Sequence, residues 1–249
     1  MITTLTVTAF SVSPSFFACE NITAIKNTCC SPTPGGLVLQ TQIWSTWTGL
    51  EKKGQKLPKG SWTIHGLWPD NCDGSFEQYC DFSRQYDPTP SPKVLPNGTV
   101  APQFGRQDPV LTCMENYWIN QGASNVDFWD HEICMFSKHA TCTSTFNVAC
   151  YDQYPTFDML AAAGITPSNK TSTTLTKLQN AIKSQTGAVP YFGCSTNGTV
   201  LSEVWYFNGT EQFGITRHWT PSSCSKDVPV WYYERTKASE REVRHWRSA

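Results

Sequence analysis

Four stretches of the chain predict β-strands, two of them through alternating apolar and polar positions. Leu37–Trp47 (LVLQTQIWSTW) combines period-two segments with β-branched and aromatic residues. Trp62–Trp68 (WTIHGLW) forms a second such run, stopped by Pro69-Asp70-Asn71. Val189–Cys194 and Val200–Phe207 supply the other two, the last with clear alternation through Leu201-Ser202-Glu203-Val204-Trp205. Helices are predicted over Asp108–Gln121, with Pro109 in the first turn, and over Val126–Ala140, opened by Asn125 or Asp127. Two more are predicted over Tyr154–Ala163 and Thr174–Ser184. Residues 1–34 read as an irregular, disulfide-tied arm ending in the turn-forming Ser31-Pro32-Thr33-Pro34-Gly35-Gly36. Pro88, Pro90, Pro92, Pro96 and Pro102 make residues 83–105 a surface loop rather than a domain boundary. Strands and helices mixed without a regular βαβ rhythm argue for an α+β fold.

Composition narrows the class. A chain of 249 residues has room for one large domain or two small ones. With 10 Trp, 13 Phe and only 16% charged residues it is not a disordered chain. Lys and Arg number 19 against 20 Asp and Glu, so a broad electrostatic grip on a polyanion is excluded and any nucleic acid must be held at a small local site. Eleven cysteines point to an oxidising compartment, and their odd number leaves at least one thiol free or shared between chains. Sequons at Asn21, Asn97, Asn169, Asn197 and Asn208 predict a glycosylated protein, secreted or held in a vacuolar or lysosome-like compartment. Met1–Ala18 carries no charge but holds seven Ser/Thr and Pro14, short of a membrane span and without a positive n-region. Residues 1–18 are therefore read as an atypical leader or flexible arm, with no membrane partner. Residues 19–234 form the expected domain, and 235–249 a charged, exposed tail.

Five histidines are present, and three fall in two short segments. One segment is Trp62-Thr63-Ile64-His65-Gly66-Leu67-Trp68-Pro69-Asp70; the other runs from Phe128 to Cys142 and holds His131, Glu132, Lys138 and His139. Two imidazoles from separate segments can serve as general base and general acid near mildly acid pH. A lysine beside them can stabilise charge growing on a phosphoryl oxygen. A glutamate can strengthen a histidine's hold on its proton. Trp68 offers a flat face for a base, worth about 1–3 kcal/mol. Together these suit metal-free RNA cleavage, in which the 2′-hydroxyl of the substrate is the nucleophile. His131-x2-Cys134-x4-His139-x2-Cys142 has zinc-ligand types, but it is not a His-Glu-x-x-His pattern. No metal or cofactor is expected.

His65-Gly66-Leu67-Trp68-Pro69 resembles the first signature of the T2-type acid ribonucleases, and Phe128-Trp129-x-His131-Glu132 with Lys138-His139-x-Thr141-Cys142 resembles the second. Pro34-Gly35-Gly36 followed by Thr41-Gln42-x-Trp44 looks like the family's first strand, and Leu201–Phe207 like a late core strand of its fungal members. The resemblance spans roughly residues 19–225. It implies a single-domain α+β fold, with a central antiparallel sheet packed with several helices and stapled by disulfides. The implied activity is endonucleolytic cleavage of single-stranded RNA through a 2′,3′-cyclic phosphate, with low base specificity. Position by position, His139 becomes the general base and His65 the general acid. Glu132 and Lys138 stabilise the phosphorane, and His131 holds the phosphate. Trp68, Asp70 and Phe76 match one base site, while Gln42 and Phe128 line a second. RNA is the expected partner; DNA, which lacks the 2′-hydroxyl, is not, and a monomer is expected. Family-like disulfides are Cys19–Cys72, Cys29–Cys150, Cys80–Cys142 and Cys194–Cys224. Cys30, Cys113 and Cys134 remain unassigned.

The chain departs from the family at one point. Glu132 is followed by Ile133-Cys134-Met135-Phe136-Ser137 before Lys138-His139, so Ile133–Phe136 stands where the family has one Trp. Three extra helical residues rise about 4.5 Å and rotate about 300°. Either they bulge outward and leave the site intact, or they displace it, or the sequence carries an error there. The alternative function that follows is a catalytically impaired, secreted RNA-binding or toxin-like protein.

Overall fold

The computed structural model describes residues 37–70, 109–129, 154–208 and 221–243. Strands β1 (Leu37–Ile43), β3 (Thr63–Asp70), β4 (Tyr191–Ser195) and β5 (Val200–Asn208) form one antiparallel sheet in the order β3-β1-β5-β4. β1 lies in the middle, pairing Leu39 with Trp68 on one side and Phe207 on the other. Three helices accompany it: α1 (Pro109–Tyr117), α2 (Thr156–Ala162) and α3 (Leu175–Thr186). Residues 125–129 are also helical. A short parallel pair, β2 (Leu57–Pro58) with β6 (Glu240–Arg241), stands apart and has no alternation to announce it. This is the α+β, antiparallel architecture expected, with most elements within two or three residues of their predicted ends. The exceptions are the first strand and first helix, which stop four residues early; residues 130–140 of the second predicted helix lie outside the described residues.

Leu175, Leu178, Ala181 and Ile182 line one side of α3 at helical spacing and are all buried. Its start is set by Thr174, whose hydroxyl accepts the Lys177 N–H at 3.3 Å, and its end by Gly187 at φ +79°. That apolar stripe packs with Met159 and Leu160 of α2 against Phe192, Val204 and Tyr206 of the sheet. Trp44, Trp62 and Tyr232 close the same core, the Trp62 indole N–H donating to the Tyr232 hydroxyl at 2.9 Å. A second, smaller cluster joins Ile64 of β3 to Met114, Trp118 and Trp129. It ties α1 and helical residues 125–129 to the sheet edge that carries His65.

Cys194 and Cys224 are joined by a disulfide, the pair the resemblance implies. Between them the β4–β5 turn needs glycine at 198: φ is +81°, and a Cβ would sit 2.8 Å from the Ser223 carbonyl oxygen. Cys113, unassigned on the sequence, is disulfide-bonded. Its partner lies outside the described residues, since Cys194 and Cys224 take each other. The other implied pairs also lie outside them.

The expected exposed tail begins inside the fold instead. Arg235 is buried with its guanidinium 3.9 Å over the Trp44 ring, and its Nε donates to the Ser45 carbonyl at 2.9 Å. Ser239 is fully buried and donates to Glu51 Oε1 at 2.7 Å. Charge density predicted solvent exposure, but an arginine stacked on an indole and bonded to carbonyls can be buried.

Candidate active site

Strand β3 is irregular where it matters most. Thr41 of β1 faces Gly66, and its neighbour Gln42 faces Ile64, so His65 is an extra residue with no opposite number on β1. Such a bulge re-aims a side chain. In an unbroken strand, residues three apart point to opposite faces. His65 and Trp68 nevertheless meet edge to face, with ring centroids 4.7 Å apart.

Side chains brace the bulge. The Thr41 hydroxyl accepts the Gly66 N–H and donates to the Gly66 carbonyl, both at 3.0 Å, and Thr41 has no exposed surface. The His65 carbonyl accepts the Trp118 indole N–H at 2.8 Å. Trp118 is itself held in the smaller cluster, where its carbonyl accepts the Trp129 indole N–H. Phe128 is half-buried, its ring 5.7 Å from the imidazole.

From His65 a row of aromatic rings crosses the sheet. Trp68 meets Trp205 of β5 at 5.5 Å, and Trp205 stacks on Tyr191 of β4 at 4.1 Å. The Trp205 indole N–H donates to Glu203 Oε2 at 3.0 Å. Burial pushes the Glu203 carboxyl above its ordinary range, partly offset by that bond. Trp62 and Trp129 are core residues, whereas Trp205 is half-buried beside Trp68. Neither Thr41, Trp118 nor Trp205 stands out on the sequence as a site residue. The one signal was the alternation of β5, which puts Glu203 and Trp205 on the same face.

Gln42, expected at the second base site, is fully buried. Its amide nitrogen donates to the Tyr154 carbonyl at 3.0 Å, and its oxygen accepts the Thr156 hydroxyl at 2.6 Å. A base cannot reach it, because alternation along β1 turns it toward α2, away from the aromatic row. Asp70 ends β3 opposite Leu37. His131, Glu132, Lys138, His139 and Phe76 lie outside the described residues, as does Ile133–Phe136. The structure thus brings together His65, Trp68 and Phe128 of the expected set and separates Gln42 from them. Two aromatic rings, an indole and a phenyl, lie at contact distance from the His65 imidazole.

Comparison with known proteins gives a consistent result. The family model for the ribonuclease T2 family matches residues 35–217. Ribonuclease T2 of Aspergillus oryzae is 34% identical over 226 residues, covering 82% of this chain and 75% of that protein. Ribonuclease Trv of Hypocrea rufa is 38% identical over 247 residues, covering 88% and 95%. Among solved structures, Actibind, described as a T2 ribonuclease, superposes with a TM-score of 0.62 at 29% identity, covering 90% of this chain and 97% of that one.

Proposed function

Because this chain belongs to the ribonuclease T2 family and is an endoribonuclease acting on RNA, we propose that it cleaves single strands by transphosphorylation, with His65 as the general acid. The observation that carries this reading is the imidazole of His65 held 4.7 Å from the Trp68 ring by the bulge in β3. With a base stacked on Trp68, the phosphodiester beside it comes within reach of that imidazole. His139 takes the proton of the 2′-hydroxyl; the 2′-oxygen bonds to phosphorus, and the bond from phosphorus to the 5′-oxygen breaks. The leaving 5′-oxygen takes its proton from His65, and the products are a 2′,3′-cyclic phosphate and a 5′-hydroxyl. Glu132 and Lys138 offset the charge of the phosphorane, and His131 holds the phosphate.

Stacking accepts every base, so base specificity is low. DNA is spared for want of the 2′-hydroxyl. The protein works as a monomer in an oxidising compartment, a reading supported by Cys113, Cys194 and Cys224 being in disulfides and by the exposed sequon residues Asn169 and Asn197.

The test is RNA cleavage by the purified chain at about pH 5 in EDTA, with His65→Phe as control. Cyclic-phosphate ends are expected, and the control should lose about 10²- to 10⁴-fold in rate. Full activity in the control would overturn the role of His65. RNA binding without turnover by the folded wild type would favour the impaired, binding protein instead.

A further inference from the structure

We propose that Thr41 is a positioning residue: its hydroxyl locks the bulge that puts the acid and the base-stacking surface on one side of β3. The proposal rests on His65 being the general acid.

Three observations carry it. The first is the register. Without the extra residue, alternation would send the His65 ring and the Trp68 ring to opposite faces of the sheet, and no single nucleotide could touch both. The second is what braces the chain at that point. Gly66 is buried opposite Thr41, beside the extra residue, where its N–H and C=O are away from water. The Thr41 hydroxyl serves both, as acceptor and as donor at 3.0 Å. Only a hydroxyl can do this from that position: valine has the shape but neither lone pair nor proton. The third is the absence of any other use for the group. Thr41 is fully buried in the middle strand, and both of its side-chain bonds go to Gly66.

Trp118 completes the hold by donating to the carbonyl of His65 itself. The peptide unit that follows the histidine's Cα is therefore held at both its carbonyl and its N–H. The two grips differ in consequence. Trp118 is a core side chain whose loss would disturb α1 and helical residues 125–129, whereas a single hydroxyl can be removed from Thr41 at constant shape.

The experiment compares wild type, Thr41→Val, Thr41→Ser and His65→Phe, each checked for folding by its thermal midpoint and assayed on a dinucleoside monophosphate and on polymeric RNA across pH. Thr41→Val, which keeps the shape, is expected to lower kcat about 10- to 100-fold, the scale of an ångström-level misplacement, while KM stays near wild type. The basic limb of its pH profile, set by the acid, should move. Thr41→Ser, which restores the hydroxyl, should recover most of kcat and return that limb to its wild-type position. Wild-type kcat in Thr41→Val would overturn the proposal, as would equal losses in the valine and serine variants. A loss seen only in KM would overturn it too. His65→Phe keeps the two questions apart: full activity there sinks the assignment of the acid, whereas an inactive His65→Phe beside an unimpaired Thr41→Val sinks only the lock.

Discussion

Thr41 and Gln42 are neighbours on β1, equally buried and equally hydrogen-bonded through their side chains, yet they serve opposite sides of the sheet. Gln42 belongs to a closed polar network behind it: its amide bridges Tyr154 and Thr156, and the Thr156 hydroxyl lies 2.7 Å from that of Tyr206. Gln40 joins through its own amide oxygen, which accepts the Tyr154 N–H at 3.1 Å. The bonds there fix the start of α2 and Tyr154 just before it to β1 and β5. Thr41 instead holds open an irregularity. A buried polar group can thus stabilise the fold or stabilise a departure from it, and only the second shapes chemistry. Loss of the first kind should appear in stability, and loss of the second in turnover.

The sharpest way to break that contrast is Gln42→Ala. It takes a donor from the Tyr154 carbonyl and an acceptor from the Thr156 hydroxyl, which keeps its contact with Tyr206, so a cost of about 1–3 kcal/mol is expected. Denaturant titration should show it, while kcat/KM of the folded enzyme stays near wild type; a rise in KM for RNA would return Gln42 to the base site. Tyr206→Phe should follow at about 1 kcal/mol, because Thr156 keeps its bond to Gln42. Burial holds the Tyr206 hydroxyl well above the ordinary phenol range, so this loss should be the same at acid and neutral pH.

The smallest effect belongs to the aromatic row. Glu203 has its folded value raised above the ordinary 4.5 by burial. Its protonated form therefore suits the site better, and its contribution is full below the unfolded value and is lost as pH rises through the folded one. Glu203→Gln removes that dependence. The thermal midpoint of the variant minus that of wild type should grow between about pH 4 and pH 7. A flat difference would mean that Glu203 is solvated in both states.

Much of this was legible in the chain. Alternation in Val200–Phe207 and the helical spacing of Leu175, Leu178 and Ile182 locate β5 and α3, because packing against one face leaves a period in the sequence. The two histidine segments mark the chemistry for the same local reason. A bulge leaves no such trace. Trp62–Trp68 reads as an unbroken strand, and only the partner strand reveals that His65 is the extra residue. Gln42 was placed at a base site by its position in the resemblance, and its partners, more than a hundred residues away, cannot be seen in the sequence around it. Arg235 and Ser239 misled in the same way, since the indole and carboxylate that receive them lie near the start of the domain.

That last arrangement bears on how the protein is made. Trp44 and Trp62 leave the ribosome well before Tyr232 and Arg235, which complete their packing. The nascent chain must carry two incompletely covered indoles while the segment between the two pairs is made, a liability that chaperones exist to cover. The main core of this RNA-cleaving enzyme therefore cannot close until Arg235 has been added.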